Sequence, residues 1–172
     1  MEMAITAPAV VTLVGGHLPV VAADANYILN TASTGGTYHP VGTAIATLTK
    51  IKLLPKQKFS LTAVNSAGSG ANIQALGANT AQFAIVQGLF GSYAATGTGP
   101  VSAPQKNVRA VTMLWQNVEQ FIIANKFVKS GTASDMVPMK GQSMAMGQKN
   151  SGTIGSNRVL LKGLGVDSEK DY

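Results

Sequence analysis

Asn30 to Pro40 reads NTASTGGTYHP, between the apolar run Tyr27-Ile28-Leu29 and a stretch, VGTAIATLTKI, that begins at Val41. In that stretch Val41, Ile45, Leu48 and then Ile51 or Lys52 recur at helical spacing. Pro40 is tolerated only in the first turn of such a helix, so the helix should start near Thr37. The residues before it, Tyr27 to Ser33, read as a strand. Two glycines among threonines and a serine at a strand-to-helix junction admit two readings. One is an ordinary capped turn. The other is a bed of backbone amides for an anion, because a helix N-terminus carries unpaired N–H groups and about half a positive charge.

The same alternation continues along the chain. Pro55 enforces a break, and FSLTAVN (Phe59 to Asn65) alternates with Phe59, Leu61 and Ala63 on one side, as a half-buried strand does. SAGSGANIQALGAN (Ser66 to Asn79) predicts a short helix through Ile73 and Leu76 that opens on a glycine-rich turn. FAIV (Phe83 to Val86) is a continuous apolar run, expected of a strand covered on both faces. Leu89, Phe90 and Tyr93 suggest another short helix. Val108 to Trp115 and Val118 to Asn125 read as two further strands, and Gln142 to Gln148 as another. Ser151 to Val166 reads as a helix that turns Ile154, Val159 and Leu160 to a core and ends at Gly163 or Gly165. Such alternation implies an α/β fold with a mostly parallel sheet, whose ligands bind where strands lead into helix N-termini.

Three junctions share one composition: Thr34 to Tyr38, Ser66 to Asn72, and Asn150 to Thr153. Each is expected to follow a strand and precede a helix, with hydroxyls to cap or donate and glycines that let a guest approach the backbone. One such junction is ordinary capping; three favour an anion-binding cleft.

Composition narrows the function. With 45 % hydrophobic and 12 % charged residues the chain can bury a core. It has no cysteine, which removes disulfides, thiolate catalysis and cysteine-based metal sites. Its two histidines, His17 and His39, are too few and too far apart for a metal cluster, so no metal and no cofactor is expected. The formal charge is +6, but Lys50, Lys52, Lys56, Lys58, Lys126 and Lys129 are scattered without interleaved aromatics, which argues for small anions over nucleic acid. Phosphate-loop, dinucleotide and nucleophile-elbow signatures are missing. The carboxylates after residue 25 are sparse, with no pair placed for acid–base work, so no catalytic residue is assigned and the chain is not expected to be an enzyme. Residues 1–25, uncharged from position 3 to 23 and ending in small residues, read as a secretory signal despite the absence of a basic start.

Three segments, ILNTASTGGTYHPVGTAIATLTK, VNSAGSGANIQAL and AQFAIVQG, resemble the substrate-binding subunits of TRAP transporters of the TAXI type. Thr34 to Gly42 is the most specific block, and Lys140 to Thr153 is similar to the family's entry into its second lobe. The resemblance implies a type II periplasmic binding-protein fold, exported to the periplasm. It also implies capture of a small carboxylate, such as glutamate, glutamine or a dicarboxylate, and delivery to the membrane subunits of a transporter. By matched position, Gly36, Thr37 and Tyr38 would meet the ligand from the first junction, and Ser69, Gly70 and Asn72 from the second. Gln87 would add a side-chain amide, and Ser151, Gly152 and Thr153 would close the second-lobe side. Trp115 and Asn117 are weaker candidates, and Tyr38 and Trp115 could equally be core aromatics. Arg109 and Arg158 fall outside the matched motifs, so the carboxylate should be held by neutral donors.

The resemblance divides the chain into a signal (1–25), a first α/β lobe (26–115) and an inter-lobe crossover with the start of a second lobe (116–172). Relatives continue further, so the chain is expected to be a fragment or to be completed by a second chain. Asn79 to Gln82 replaces an acidic turn common in the family, a surface change. The alternatives are a sensor lobe of a signalling protein and an anion-binding enzyme domain.

Overall fold

The computed structural model describes residues 24–172. The segment read as a secretory signal lies, but for its last two residues, outside the described residues. Three parallel strands form the sheet in the order β2-β1-β3: β1 (Ala25–Asn30), β2 (Phe59–Val64) and β3 (Phe83–Ala84). The register sets Tyr27 opposite Leu61 and Leu29 opposite both Ala63 and Phe83. Helix α1 (Tyr38–Lys52) and the single turn α2 (Leu54–Gln57) connect β1 to β2, with Pro55 at the start of α2. Helix α3 (Ser69–Gly77) connects β2 to β3, and α4 (Gly88–Thr96) follows β3. Two 3-10 turns (Asn125–Phe127 and Ala133–Met139) and α5 (Gly152–Gly163) complete the described chain. Among the described residues no helix is long and apolar enough to cross a membrane.

The alternation of Phe59, Leu61 and Ala63 builds the core as expected. With Leu29, Ala46 and Ile85 they form a cluster against which Tyr38, Val41 and Ile45 pack. Helix α1 reaches the sheet closely because Gly42 faces Thr31: a methyl there would collide with the threonine side chain. Thr49 Oγ1 accepts from the Leu61 N–H at 3.0 Å, which ties the last turn of α1 to β2. A second cluster, Ile73, Phe90 and Ala94, joins α3 to α4. Burying a side chain such as Ile73 contributes roughly 1.5–3 kcal/mol.

Four expectations need correction. Val108 to Trp115 and Val118 to Asn125 are not strands, and the described residues form no ladder with them. Val111, Met113, Val118 and Ile122 are 76–96 % exposed; apolar β-formers state a preference, but a strand also needs a neighbour's peptide groups. Gln142 to Gln148 is likewise irregular. Its alternation is real at the level of burial, since Met144 and Met146 pack on the Met136–Leu161–Val166 cluster while their neighbours are exposed. In α5, Val159 and Leu160 are 48 % and 39 % exposed, whereas Leu161 is fully buried. The inward face runs through Asn157, overlooked because it is polar; its Nδ2 donates to Met146 O at 3.0 Å. Finally, the FAIV strand is paired only over Phe83–Ala84, although Ile85 N–H still donates to Asn30 O at 3.0 Å.

Candidate ligand-binding site

The three glycine-hydroxyl junctions meet at one cavity of about 370 Å³. The first arises where the chain leaves β1. Gly36 N–H closes a tight turn on Ser33 O at 2.9 Å, and Thr37 is the N-cap of α1 without bonding its first-turn amides through its side chain. Tyr38 therefore starts a helix whose N-terminal amides carry no side-chain cap and no acidic neighbour. Its ring meets Trp115 edge-on, centroids 5.6 Å apart. Burial raises the Tyr38 hydroxyl above the usual phenol range, opposed by hydrogen bonding to Ser69 and Asn117.

At the second junction Gly68 has φ +115°, a conformation that strains any residue with a Cβ, and it caps α3 with no side-chain bond. Ser69 Oγ accepts from the Gln87 N–H at 3.0 Å, joining the starts of α3 and α4. Gln87 Oε1 accepts from Ser156 Oγ at 3.2 Å, which anchors the amide to α5. The third junction differs from expectation: an irregular segment, not a strand, precedes it. Ser151 Oγ accepts from the Ile154 N–H at 3.2 Å and caps α5. Gly152 lies so close to Gln87 and Ser69 that a methyl would overlap both. Side-chain bulk here would separate α5 from α3 and α4, so glycine is what lets the third junction close on the second.

Gly36, Thr37, Tyr38, Ser69 and Gln87 line the cavity. So do Ser151, Gly152 and Thr153, together with Trp115 and Asn117 from the crossover segment. Gly70 and Asn72 do not, and their roles are structural. Gly70 packs against the backbone of Asn150, whose carbonyl accepts from the Ala71 N–H at 3.2 Å. Asn72 is fully buried and donates through Nδ2 to Thr31 O at 2.7 Å and Ile85 O at 2.8 Å, clamping the chain just beyond β1 and β3. A short, buried amide beside two carbonyls that have left their ladders satisfies the frame and presents nothing to a guest.

Sequence reading missed Ser33 and Gln148 in the wall. Ser33 stands next to the first glycine pair, at the end of the strand that the sequence predicts. Gln148 follows Gly147, whose φ of +102° turns the chain into the third junction; a glycine four residues before the Ser-Gly-Thr cap is the available signal. His39 is not in the wall: its Nδ1 lies 3.1 Å from Thr31 Oγ1, which donates to Val64 O at 2.8 Å. Arg109 bonds the carbonyls of Lys106 and Val108, and Arg158 pairs with Glu169, so neither cation serves the cavity. Among the described residues no group of three or more His, Asp or Glu side chains could hold a metal.

The sheet with its helices is compatible with part of a periplasmic-binding-protein-like fold. A family model described as the NMT1-like family, a periplasmic-binding-protein-like family, matches residues 29–172. Its members are typically extracytoplasmic binding proteins.

Proposed function

The chain belongs to the NMT1-like family, and on that premise we propose that it is the extracytoplasmic solute-binding subunit of a TRAP transporter of the TAXI type. Its ligand is a small carboxylate, such as glutamate, glutamine or a dicarboxylate, held in the cavity where the three junctions meet. The protein binds and releases this ligand without covalent chemistry and hands it to membrane subunits from the periplasm. The observation that carries the reading is the convergence of the starts of α1, α3 and α5 on one cavity walled by neutral donors. Each start supplies N–H groups and partial positive charge, which suits a carboxylate and needs no arginine.

Calorimetric titration of the purified protein with glutamate, glutamine, 2-oxoglutarate and other small dicarboxylates tests this. Saturable binding of at least one is expected; silence toward all of them removes the reading. Gly36→Val localises the site. A β-carbon at Gly36 would sit 3.4 Å from Ser33 O, an ordinary contact, so the branched side chain should fill the cavity mouth without unfolding the protein. Binding should fall at least tenfold with an unchanged melting temperature, and retained affinity would mean that the glycine serves only the turn.

A further inference from the structure

We propose that this cavity selects carboxylates that carry no ammonium group, so that deamino diacids are preferred over the corresponding amino acids. This rests on reading the cavity as the ligand site and narrows its substrate class. Two independent features point the same way. First, among the described residues no Asp, Glu, Lys, Arg or His lines the wall. An ammonium brought inside would find no carboxylate, while the positive ends of α1, α3 and α5, helices of 15, 9 and 12 residues, face it. Desolvating a cation without a counter-charge is costly.

Second, three oxygens of the wall already accept a bond from the frame. Ser151 Oγ takes the Ile154 N–H, Ser69 Oγ takes the Gln87 N–H, and Gln87 Oε1 takes the Ser156 hydroxyl. Gln87 keeps its amide NH₂ for the cavity and Ser151 its hydroxyl hydrogen, while the Ser69 hydroxyl is turned to that of Tyr38. Each of these three oxygens has one lone pair fewer to offer an ammonium, whereas the Gln87 amide and the helix-start N–H groups can donate to carboxylate oxygens. Two carboxylates can be shared among three helix starts; L-glutamate and L-aspartate bring the same two carboxylates plus an ammonium that those starts repel. Glu119 is the nearby acid. It is exposed, lies outside the wall, and acts on the Tyr38 hydroxyl only through its field.

Calorimetry on matched pairs tests the proposal: glutarate and 2-oxoglutarate against L-glutamate, and succinate against L-aspartate. The amino acid of each pair should bind at least tenfold more weakly; equal or tighter binding of the amino acids overturns the inference while leaving the ligand site intact. Failure of every diacid and amino acid to bind overturns the site itself, and the inference with it. Asn117→Asp, a change at an exposed position in the wall, should strengthen L-glutamate and weaken glutarate, closing or inverting the gap. An unchanged gap in that variant counts against the electrostatic argument. Glu119→Gln should leave the preference where it was; selective loss of L-glutamate binding would identify Glu119 as an ammonium partner and refute the proposal.

Discussion

Gly70→Ala offers a sharp measurement of how tightly the third junction is seated on the second. An alanine β-carbon at this position would lie 2.7 Å from Asn150 O, 3.2 Å from its carbonyl carbon and 3.3 Å from its Cα. All three are backbone atoms, so no side-chain rotation relieves the clash. The carbonyl must retreat by several tenths of an ångström, and it is the acceptor of the Ala71 N–H at 3.2 Å, a bond already near its limit. Three terms set the magnitude. Alanine in place of glycine favours the helix by about 1 kcal/mol. Overpacking against an unyielding neighbour costs about 1–3 kcal/mol. Weakening the hydrogen bond costs about 1 kcal/mol more. The net expectation is a loss of about 1–3 kcal/mol, which for a chain of this size lowers the melting temperature by roughly 2–4 °C per kcal/mol.

The control is Gly91→Ala in α4, where nothing lies within 4 Å of the added methyl. Here the propensity term acts alone, and the melting temperature should rise by roughly 2–4 °C. Thermal unfolding followed by circular dichroism in one buffer compares the two directly. Gly70→Ala melting as high as Gly91→Ala would refute the seating of Asn150 on α3. The same displacement moves Ser151 to Thr153 away from the cavity, so carboxylate affinity should fall in Gly70→Ala and be unchanged in Gly91→Ala.

Two further perturbations test the frame around the site. Asn72→Ala removes the donor from the buried Ile85 carbonyl, at a cost of about 1–3 kcal/mol, and one of two donors from Thr31 O, which keeps Ser66 Oγ; urea denaturation should report a loss of about 2 kcal/mol or more, and a loss below about 1 kcal/mol would show that the clamp is dispensable. Asp135 accepts from the side chain of Ser130 and from the N–H groups of Lys129, Ser130 and Gly131, which holds its carboxyl well below the usual carboxylate range. A depressed folded-state value contributes stability above the unfolded value of about 4 and loses it as pH falls through the lower folded value. Asp135→Asn should therefore be less stable than the parent at pH 7, with the gap shrinking from about pH 4 downward; a gap independent of pH would refute the assignment of this carboxylate as the charged hub of its turn.

The first half of the chain was legible from its periodicities. Phe59, Leu61 and Ala63 occupy the core side of β2, and α1 begins at Tyr38 with Pro40 in its first turn, because both depend on neighbours a few residues away. Beyond α4 the reading weakened. Val108 to Trp115 has the composition of a strand, yet the described residues supply no partner, and Asn157 lies on the buried face of α5 because a carbonyl from Met146 waits for it. Within the site, Ser69 and Asn72 stand three residues apart on one short helix and differ in role: one lines the cavity, the other clamps the ends of β1 and β3.

Sequence alone determined that glycine and hydroxyl residues would open three helices, since capping and backbone freedom are local properties of the residues that bear them. Tertiary structure decided that these openings face one another, and which of their residues remain free for a guest. Close approach requires a glycine such as Gly152 to meet Gln87 and Ser69 across a long stretch of chain, and which hydrogen bonds are already spent is settled only when distant groups arrive to accept or donate them.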